Sequence, residues 1–378
     1  MKRFLLIILF FMILYTTWPA IEKLIMKSDY ALPYQTLKTD LIAWTNQDLE
    51  DELDHIKSTF SQVAKKLDIP INQLQSKKKD VKESVEKTDL QAPTKHLFSI
   101  HNIELGDTKA KVDQELGKAV RVTANEYGTK WYSYHHQYHN FMMVSFDDQD
   151  KVNGMYTNQA LLSSSNGLKI GSPKNKVEQD LGQPVTKIRK GLTYYQIEGD
   201  QDYEMYLVDH SYVTIFYDTH KNNVVDAIQI INQNLEMKKD GFYGKESKPL
   251  TIGFEYQLFD LTNAFRVKHG QNILSWDDHI KETARDHSED MAVHNYFSHT
   301  NLQGESPFDR MTEDDISFTL AGENLAYGQF SSIFAHEGLV NSLGHRKNIL
   351  QKDFENLGVG VAFNKDSIPY YTENFYTN

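Results

Sequence analysis

Three side chains in the C-terminal part of the sequence have the chemistry of a binding or catalytic site: His299, Glu323 and His345. Each lies in a segment with Gly or Asn nearby, which is typical of a loop or an element end. Two imidazoles and a carboxylate suit an open metal site, or an acid–base pair in which the carboxylate holds the pKa of a histidine. The three residues lie far apart along the chain. Spacing alone therefore leaves open the alternative that each one satisfies its own loop.

The composition excludes several other kinds of chemistry. The 378-residue chain has no cysteine, which rules out disulfides, zinc–thiolate sites, iron–sulfur clusters and thiol nucleophiles. Its 52 acidic and 40 basic residues give a net charge of −12, which opposes nucleic-acid phosphates, so no nucleic-acid partner is expected. The sequence also lacks a G-x-S-x-G elbow, a P-loop and a dinucleotide-binding fingerprint.

The elements that must position the three residues are predicted as two helices followed, further along, by two strands. The first helix contains the segment LFDLTNAFRVKHG and ends at Gly270. The second begins after Trp276 and Asp277. Its buried face is predicted to consist of Ile280, Ala284, His287 and Met291. Residues 357–362 and 370–375 read as strands.

Two copies of one unit precede this part of the chain. The first begins IELGDTKAKVDQELG and the second LKIGSPKNKVEQDLG, with Gly, Val and Leu matching at one constant offset. Val112 and Val177 are predicted to face inward on a short helix, and Gly117 and Gly182 to end it. Strand-like segments follow both helices, so each copy is predicted to be one helix with its own small antiparallel sheet.

The first copy also contains a histidine cluster, His135, His136 and His139. In one extended strand His135 and His136 point to opposite faces, and His135 and His139 lie roughly 13 Å apart, too far for a shared ion. The second copy has no equivalent histidines. Ordinary surface histidines are therefore favoured over a metal site.

The N-terminus is predicted to place the rest of the chain outside the cell. Lys2 and Arg3 precede an uncharged run that ends at Ile21 and would form roughly 27 Å of helix, enough for a bilayer core. The exit sequence is poor for signal-peptide cleavage, and Trp18 suits the membrane interface. We therefore predict an uncleaved signal-anchor at residues 1–21, in a single-pass protein of the cell membrane. A cleaved signal and a secreted protein are the alternative.

Residues 22–97 are predicted to contain an amphipathic helix and a charged linker. Apolar residues recur every three or four positions from Leu49 to Leu67. The segment from Ser76 to Lys95 is highly charged and nearly free of large apolar side chains. The helix is expected to pack on its own protein, and a short coiled coil that forms a homodimer is the alternative.

The C-terminal motifs, over residues 250–378, resemble the CAP superfamily of cysteine-rich secretory proteins, insect antigen 5 and plant pathogenesis-related proteins. The likeness is to its bacterial branch, which lacks disulfides. The motifs are Asn263 and Arg266 in a helix, Trp276-Asp277, Phe297-Ser298-His299, Asp309-Arg310, Gly322-Glu323-Asn324, Gly344-His345-Arg346 and Tyr371-Thr372-Glu373-Asn374-Phe375. Residues 98–240, with copies at about 98–165 and 166–235, resemble the domain that accompanies CAP domains in some bacterial surface proteins.

The resemblance implies an α+β fold with a C-terminal α-β-α sandwich and a central ligand cleft. It implies that His299, Glu323 and His345 converge there, beside Asn324, and that the two histidines can hold a divalent metal such as zinc. Ser342 takes the place of a second glutamate found in eukaryotic members, which should weaken metal affinity and remove one candidate base. Glu337 lies five residues earlier and would face about 140° away on a helix, so it is not a substitute.

Three functions are consistent with these features. In the first, the cleft of a membrane-tethered, extracytoplasmic protein binds a lipid, peptide or cell-wall ligand without turnover. In the second, metal held by His299 and His345 assists a hydrolase of peptidase or esterase type, with Glu323 activating water as the candidate catalytic residue. In the third, the repeats are the functional surface and the CAP fold is a scaffold. The resemblance implies that enzymatic activity is exceptional among family members, and one fold serves many functions, so we favour the first.

Overall fold

The computed structural model describes residues 88–197 and 202–378, which form a mixed α+β structure. The predicted signal-anchor (1–21), the amphipathic helix and most of the charged linker lie outside these ranges. Within the described ranges, no helix is both long and apolar enough to cross a membrane.

The repeat region contains three helices and eleven strands among its described residues. In chain order they are β1 (Phe98–Ile100), α1 (Lys109–Leu116), β2 (Arg121–Ala124), β3 (Lys130–His136), β4 (His139–Phe146), β5 (Val152–Thr157), β6 (Leu162–Ser164), α2 (Lys174–Leu181), β7 (Lys187–Lys190), β8 (Thr193–Gln196), β9 (Tyr203–Val208), β10 (Ser211–Asp218), β11 (Val224–Asn232) and α3 (Gln233–Lys238).

The two copies share one sheet, which corrects the prediction of a separate small sheet in each. Seven strands pair in the order β2-β3-β4-β5-β11-β10-β9, and the copies join where β5 pairs antiparallel with β11. Strands β1 and β6 form a separate pair, as do β7 and β8. The residues of β5 and β10 are buried along their whole length. A strand covered on both faces loses the apolar–polar alternation that would have marked it in the sequence.

The two repeat helices end at the predicted glycines, and the two valines predicted to face inward are buried, but the helices begin after Thr108 and Pro173, one residue later than Asp107 and Ser172, which the sequence offered as caps. Val112 and Val177 are fully buried, and both helices end at glycines with positive φ, 76° at Gly117 and 79° at Gly182. Only a residue without a Cβ adopts that conformation at little cost, so the glycines terminate the helices.

The histidines of the first copy lie at a hairpin rather than along one strand. Strand β3 ends at His136 and β4 begins at His139, so these two residues are cross-strand neighbours. His135 stacks on Tyr138, with ring centroids 4.2 Å apart. Burial lowers the pKa of His135 to about 4, which keeps it neutral. The described residues contain no group of three or more His, Cys, Asp or Glu placed to hold one metal ion, and that includes this cluster.

The C-terminal domain is an α-β-α sandwich. Its four-stranded sheet has the order β12-β14-β15-β13, with β12 parallel to β14 and the other pairs antiparallel. Helix α5 packs on one face, and α4, α7 and α8 pack together on the other. The elements are α4 (Lys248–Lys268), β12 (Ser275–Trp276), α5 (Asp278–His294), α6 (Pro307–Glu313), β13 (Leu320–Tyr327), α7 (Ser332–Asn341), α8 (Leu343–Leu350), β14 (Asn356–Phe363) and β15 (Pro369–Thr377).

Strand β14 brings α5 unusually close through two glycines. A Cβ on Gly360 would lie 2.0 Å from the backbone nitrogen of Arg285, and one on Gly358 would lie 2.4 Å from that of Lys281. The alternate residues of the strand, Leu357, Val359 and Val361, belong to the core on the α4 face. Because side chains alternate along a strand, β14 presents its two glycines to α5 on one face and its apolar side chains to the core on the other.

Helix α4 lies between the two sheets and joins the domains into one core. Trp131 and Phe141 of the seven-stranded sheet pack in the same apolar cluster as Leu258 and Phe265 of α4 and Val359 of the four-stranded sheet. The other face of the seven-stranded sheet forms a second core with the repeat helices. The repeats and the C-terminal domain are therefore not packed as independent modules.

Buried charge pairs fix the two domains relative to each other. The guanidinium of Arg346 on α8 donates to both carboxylate oxygens of Asp218 at the end of β10, at 3.1 and 2.9 Å. Arg121 of β2 contacts Asp260 of α4 at 3.0 Å, and the Tyr138 hydroxyl donates to the other Asp260 oxygen at 3.0 Å. Burial raises the pKa of Asp260 to about 6, and the charge of Arg121 offsets part of that rise.

Replacing Gly360 with alanine should destabilise the protein by about 3 kcal/mol or more, because the new methyl group meets the backbone of α5 and not a movable side chain. The free energy of unfolding in urea measures the loss. Gly344→Ala in α8 is the control, since its Cβ would meet nothing within 4 Å. That change should be neutral or stabilising by up to about 1 kcal/mol. Equal effects of the two substitutions would contradict the close approach.

Candidate functional site

Glu323 is the centre of the candidate site and lies on β13, the edge strand of the four-stranded sheet. The strand's alternation directs Glu323 to the side of α5 and α6, and Asn324 to the side of α4 and α8. The Glu323 side chain is only 1 % exposed. A carboxylate so buried needs charged or hydrogen-bonding partners on both oxygens.

Both oxygens of the Glu323 carboxylate have such a partner. His299 Nδ1 lies 2.8 Å from Oε1, and Arg310 Nη2 donates to Oε2 at 2.7 Å. Arg310 also donates through Nη1 to the backbone carbonyls of His299, at 2.9 Å, and Glu305, at 3.1 Å. The guanidinium therefore fixes the carboxylate and the loop that carries His299 at the same time.

Arg310 is the site residue to which the sequence analysis gave no role. It appeared there only within the Asp309-Arg310 motif. Helix α6, which carries it, begins with a capping box formed by Ser306 and Asp309. That S-x-x-D pattern predicts the helix start, but no local pattern shows that Arg310 turns inward to a strand residue.

The loop that carries His299 is fixed at two further points. Helix α5 ends at Asn295 in the left-handed conformation (φ 53°), which redirects the chain. The buried His287 then donates from Nε2 to the carbonyl of Ser298, at 2.9 Å. Burial and the charge of Arg310 lower the pKa of His287, so it is neutral and acts as a structural donor. His299 itself remains half exposed, at 52 %.

His345 lies on α8 and is brought near His299. Burial lowers the pKa of His345, and the neighbouring His299 lowers it further. The backbone carbonyl of His345 accepts a hydrogen bond from Asn324 Nδ2 at 3.3 Å. The structure therefore places His299 against Glu323, and His345 on α8 near His299.

Asn324 and Ser342 do not present their side chains in the same way. Asn324 is completely buried, and its amide links Asn348 at 3.0 Å and Glu373 at 3.0 Å, so it supports the site from beneath. Ser342 is partly exposed at the junction of α7 and α8, and its backbone carbonyl accepts from the amide of Arg346. Glu337 points to the repeat domain, where it accepts from the Tyr156 hydroxyl at 2.5 Å.

The donor set does not fit a resident zinc ion. His299 Nε2 and the His345 ring are the available donors, because Arg310 and His299 already occupy the oxygens of Glu323. Catalytic and structural zinc sites use three or four protein ligands. No third His, Cys, Asp or Glu in the part of the chain that the structure describes completes such a set.

Two cavities in the described part of the chain lie elsewhere. One of about 510 Å³ is lined by residues of the repeat domain, of α7 and of the segment between α3 and α4 (residues 239–247), here called the connecting segment. Another of about 790 Å³ lies against the connection between the domains. His299, Glu323 and His345 line neither cavity.

Two family models match the chain. The one described as the cysteine-rich secretory protein family, CAP, matches residues 259–375, and the one described as CAP-associated N-terminal matches residues 105–242. Both matches agree with the resemblance inferred from the motifs.

Relatives and solved structures agree with these matches. The uncharacterized membrane protein YlbC of Bacillus subtilis (strain 168) is 29 % identical over 308 residues, which are 75 % of this chain and 84 % of YlbC. The uncharacterized protein YkwD of the same organism is 43 % identical over 130 residues, 34 % of this chain and about half (49 %) of YkwD. An extracellular SCP-domain protein from Bacillus anthracis str. Ames has 25 % identity and a TM-score of 0.63, covering 78 % of this chain and 100 % of its own. A cysteine-rich secretory protein from Staphylococcus aureus subsp. aureus Mu50 shows the same fold, with 16 % identity and a TM-score of 0.57, over 72 % of this chain and 94 % of its own.

Removing the guanidinium of Arg310 should destabilise the protein far more than removing the imidazole of His299. Arg310→Ala leaves a buried carboxylate without its cation and two carbonyls without a donor, which should cost about 3 kcal/mol of unfolding free energy or more. His299→Ala removes a half-exposed partner and should cost less than about 1 kcal/mol. Urea unfolding measures both. Equal losses would show that Arg310 does not fix the carboxylate and loop.

Proposed function

Because residues 259–375 belong to the CAP family and residues 105–242 to the CAP-associated N-terminal family, we propose that this protein binds a ligand of the cell envelope at His299 and His345, outside the cytoplasm and without turnover. The observation that carries the proposal is that both carboxylate oxygens of Glu323 already have partners. Its side chain is 1 % exposed and its two oxygens are held by His299 and Arg310, so the carboxylate does not face a water molecule that it could activate.

Exposed apolar side chains around the two histidines indicate the chemistry of the ligand. Phe297 (50 % exposed) and Leu302 (61 %) flank His299 in its loop, and Leu343 (57 %) precedes His345 on α8. Exposed apolar groups beside a few polar ones are typical of a surface that binds another molecule. A hydrophobic ligand or a peptide from the envelope fits this surface, with the imidazoles as hydrogen-bonding groups.

A hydrolase of peptidase or esterase type, using His299, Glu323 and His345, is the second candidate. One observation favours it. The 2.8 Å contact from Glu323 to His299 Nδ1 leaves Nε2 as the free ring nitrogen, which is how a carboxylate orients a histidine general base. The poor fit to a resident metal and the absence of a recognisable nucleophile motif weigh against this candidate.

The protein is further proposed to be tethered to the membrane by residues 1–21, with Lys2 and Arg3 inside and the described domains outside. The name of YlbC describes it as a membrane protein, and the Bacillus anthracis protein is described as extracellular, which supports this orientation. Secretion after cleavage remains the alternative.

The tether predicts that the full-length protein stays in the membrane fraction after an alkaline wash, and that Edman or mass-spectrometric sequencing finds residues 1–21 intact. Recovery from the medium of a chain that begins after Ala20 would contradict the anchor and establish the secreted form.

The binding function predicts that isolated lipid, peptide or cell-wall fractions raise the melting temperature of the full-length protein. A ligand at about 100 times its Kd stabilises by about 2.7 kcal/mol, a shift of several degrees. The shift should disappear when His299 and His345 are both replaced by alanine. His294→Ala is the control, because His294 (51 % exposed) is as accessible as His299 (52 %) but lies on α5.

Two outcomes would contradict this function. No shift with any envelope fraction, or a shift that survives the double substitution, would exclude the histidine pair as the binding site. Turnover of peptide or ester substrates that is lost in both His299→Ala and Glu323→Gln would establish the hydrolase instead.

A further inference from the structure

The cavity of about 510 Å³ between the domains, here called the interdomain pocket, has walls that are mostly aromatic. The β7–β8 hairpin and β9 supply Tyr195 and Tyr203, the connecting segment supplies Phe242 and Tyr243, and α7 supplies Phe334. Its volume is in the range of small-molecule sites, and a domain interface is a common place for one. None of the three proposed histidine-site residues lines it.

Among acidic and basic side chains, only acidic ones line the interdomain pocket in the described structure. Asp202 and Glu337 contribute carboxyl groups, and no Lys, Arg or His is among the lining residues that the structure describes. Gln329 also lines the pocket, and its Oε1 is buried without a hydrogen-bond partner in the described structure. A buried acceptor without a donor is costly, so a ligand that donates hydrogen bonds would gain from it.

These features discriminate between ligand classes. An anionic ligand would meet the Asp202 carboxyl group and no cation among the described lining residues. A purely apolar ligand would bury the Gln329 oxygen without giving it a donor. An organic cation brings donors and positive charge to the acceptors, and places its alkyl groups and its charge against aromatic faces.

We propose that the interdomain pocket binds an organic cation, an alkylammonium or guanidinium group carried on an apolar chain. Aromatic faces attract such a group through their quadrupoles, and Asp202 and Gln329 accept its hydrogen bonds. This chemistry can come from a free small amine or from an arginine or lysine side chain of a peptide. The site is separate from the histidine pair and does not depend on the function proposed for it.

Glu337 also lines the pocket and is buried. Burial, together with the charges of Asp226 and Asp202, raises its pKa to about 8, although the Tyr156 hydroxyl and Lys268 act in the opposite direction. The group is therefore largely protonated at neutral pH before a ligand arrives. Asp202, nearer the connecting loops and only partly buried, is the better carboxyl to test by substitution.

The first experiment uses matched ligands with the full-length protein. Titration calorimetry compares a short peptide with a central arginine, the same peptide with neutral citrulline in that place, and n-butylammonium as a free small cation. The arginine peptide or n-butylammonium should bind, and the citrulline peptide should bind at least about tenfold more weakly than the cation that does bind. Binding of n-butylammonium alone identifies a small-amine ligand, and binding of the peptide alone identifies a protein ligand. Equal binding of the arginine and citrulline peptides would overturn the proposal.

The second experiment uses matched variants. Asp202→Asn keeps the shape but removes the charge, and should weaken binding of the cation about tenfold, whereas the exposed Asp148→Asn should not change it. Tyr195→Leu should weaken binding several-fold, and Tyr195→Phe, which keeps the aromatic face, should bind within about twofold of the parent.

His299→Ala should leave this binding unchanged, so failure of the histidine site and failure of the interdomain pocket can be told apart. Melting temperatures near that of the parent protein show that the variants are folded. Undiminished binding in Asp202→Asn would overturn the proposal. So would binding of N-acetylglucosamine oligomers that is lost in Tyr195→Leu, without any binding of the cations.

Discussion

The burial of α4 on all sides is the constraint on which the rest of the described structure depends. This helix lies between two sheets, so its polar side chains cannot reach water and must be paired within the protein. Gln257 and Asp260 bond to the repeat domain, Thr262 donates to Glu373 on β15, and Glu255 pairs with Arg285 on α5. Arg266 donates to three backbone carbonyls beyond the helix. Each such bond fixes an element that the candidate site needs, because the partners lie on both sheets and in the loops.

The same arrangement links the repeat domain to the candidate site. On α8, His345 faces the site while the next residue, Arg346, pairs with Asp218 of the repeat domain. On α7, Glu337 bonds to Tyr156 of that domain. The repeat domain therefore holds α7 and α8, the two helices on the His345 side of the site, through contacts on the side away from the site. Deleting the repeats would expose the shared core, so the idea that they act as a separate functional surface calls for point substitutions and not for a deletion.

The candidate site combines a buried, hydrogen-bonded carboxylate with histidine side chains that are more accessible. Glu323 and Arg310 are buried and bonded to each other, whereas His299 is half exposed and only its Nδ1 is engaged. Beneath them, burial raises the pKa of Glu373 to about 7, which the donors Thr262 and Asn324 only partly offset. These buried polar groups orient the surface residues without reaching the solvent. An arrangement of this kind suits the recognition of a ligand at least as well as proton transfer.

The sequence by itself determined the local features: the repeat helices and their terminal glycines, the start of α5 at Asp277, the strands β14 and β15, and the motifs that contain His299, Glu323 and His345. These follow from apolar periodicity, capping residues and short motifs, each of which acts over a few neighbouring residues. Only the tertiary structure decided that the two repeats share one sheet, that Arg310 holds Glu323, that Asn324 is buried, and that Glu337 faces the repeat domain. All four depend on which distant groups satisfy a buried polar atom or strand edge. The residues next to these groups in the sequence do not reveal such pairings, because any donor of the right type at the right depth could satisfy the buried group.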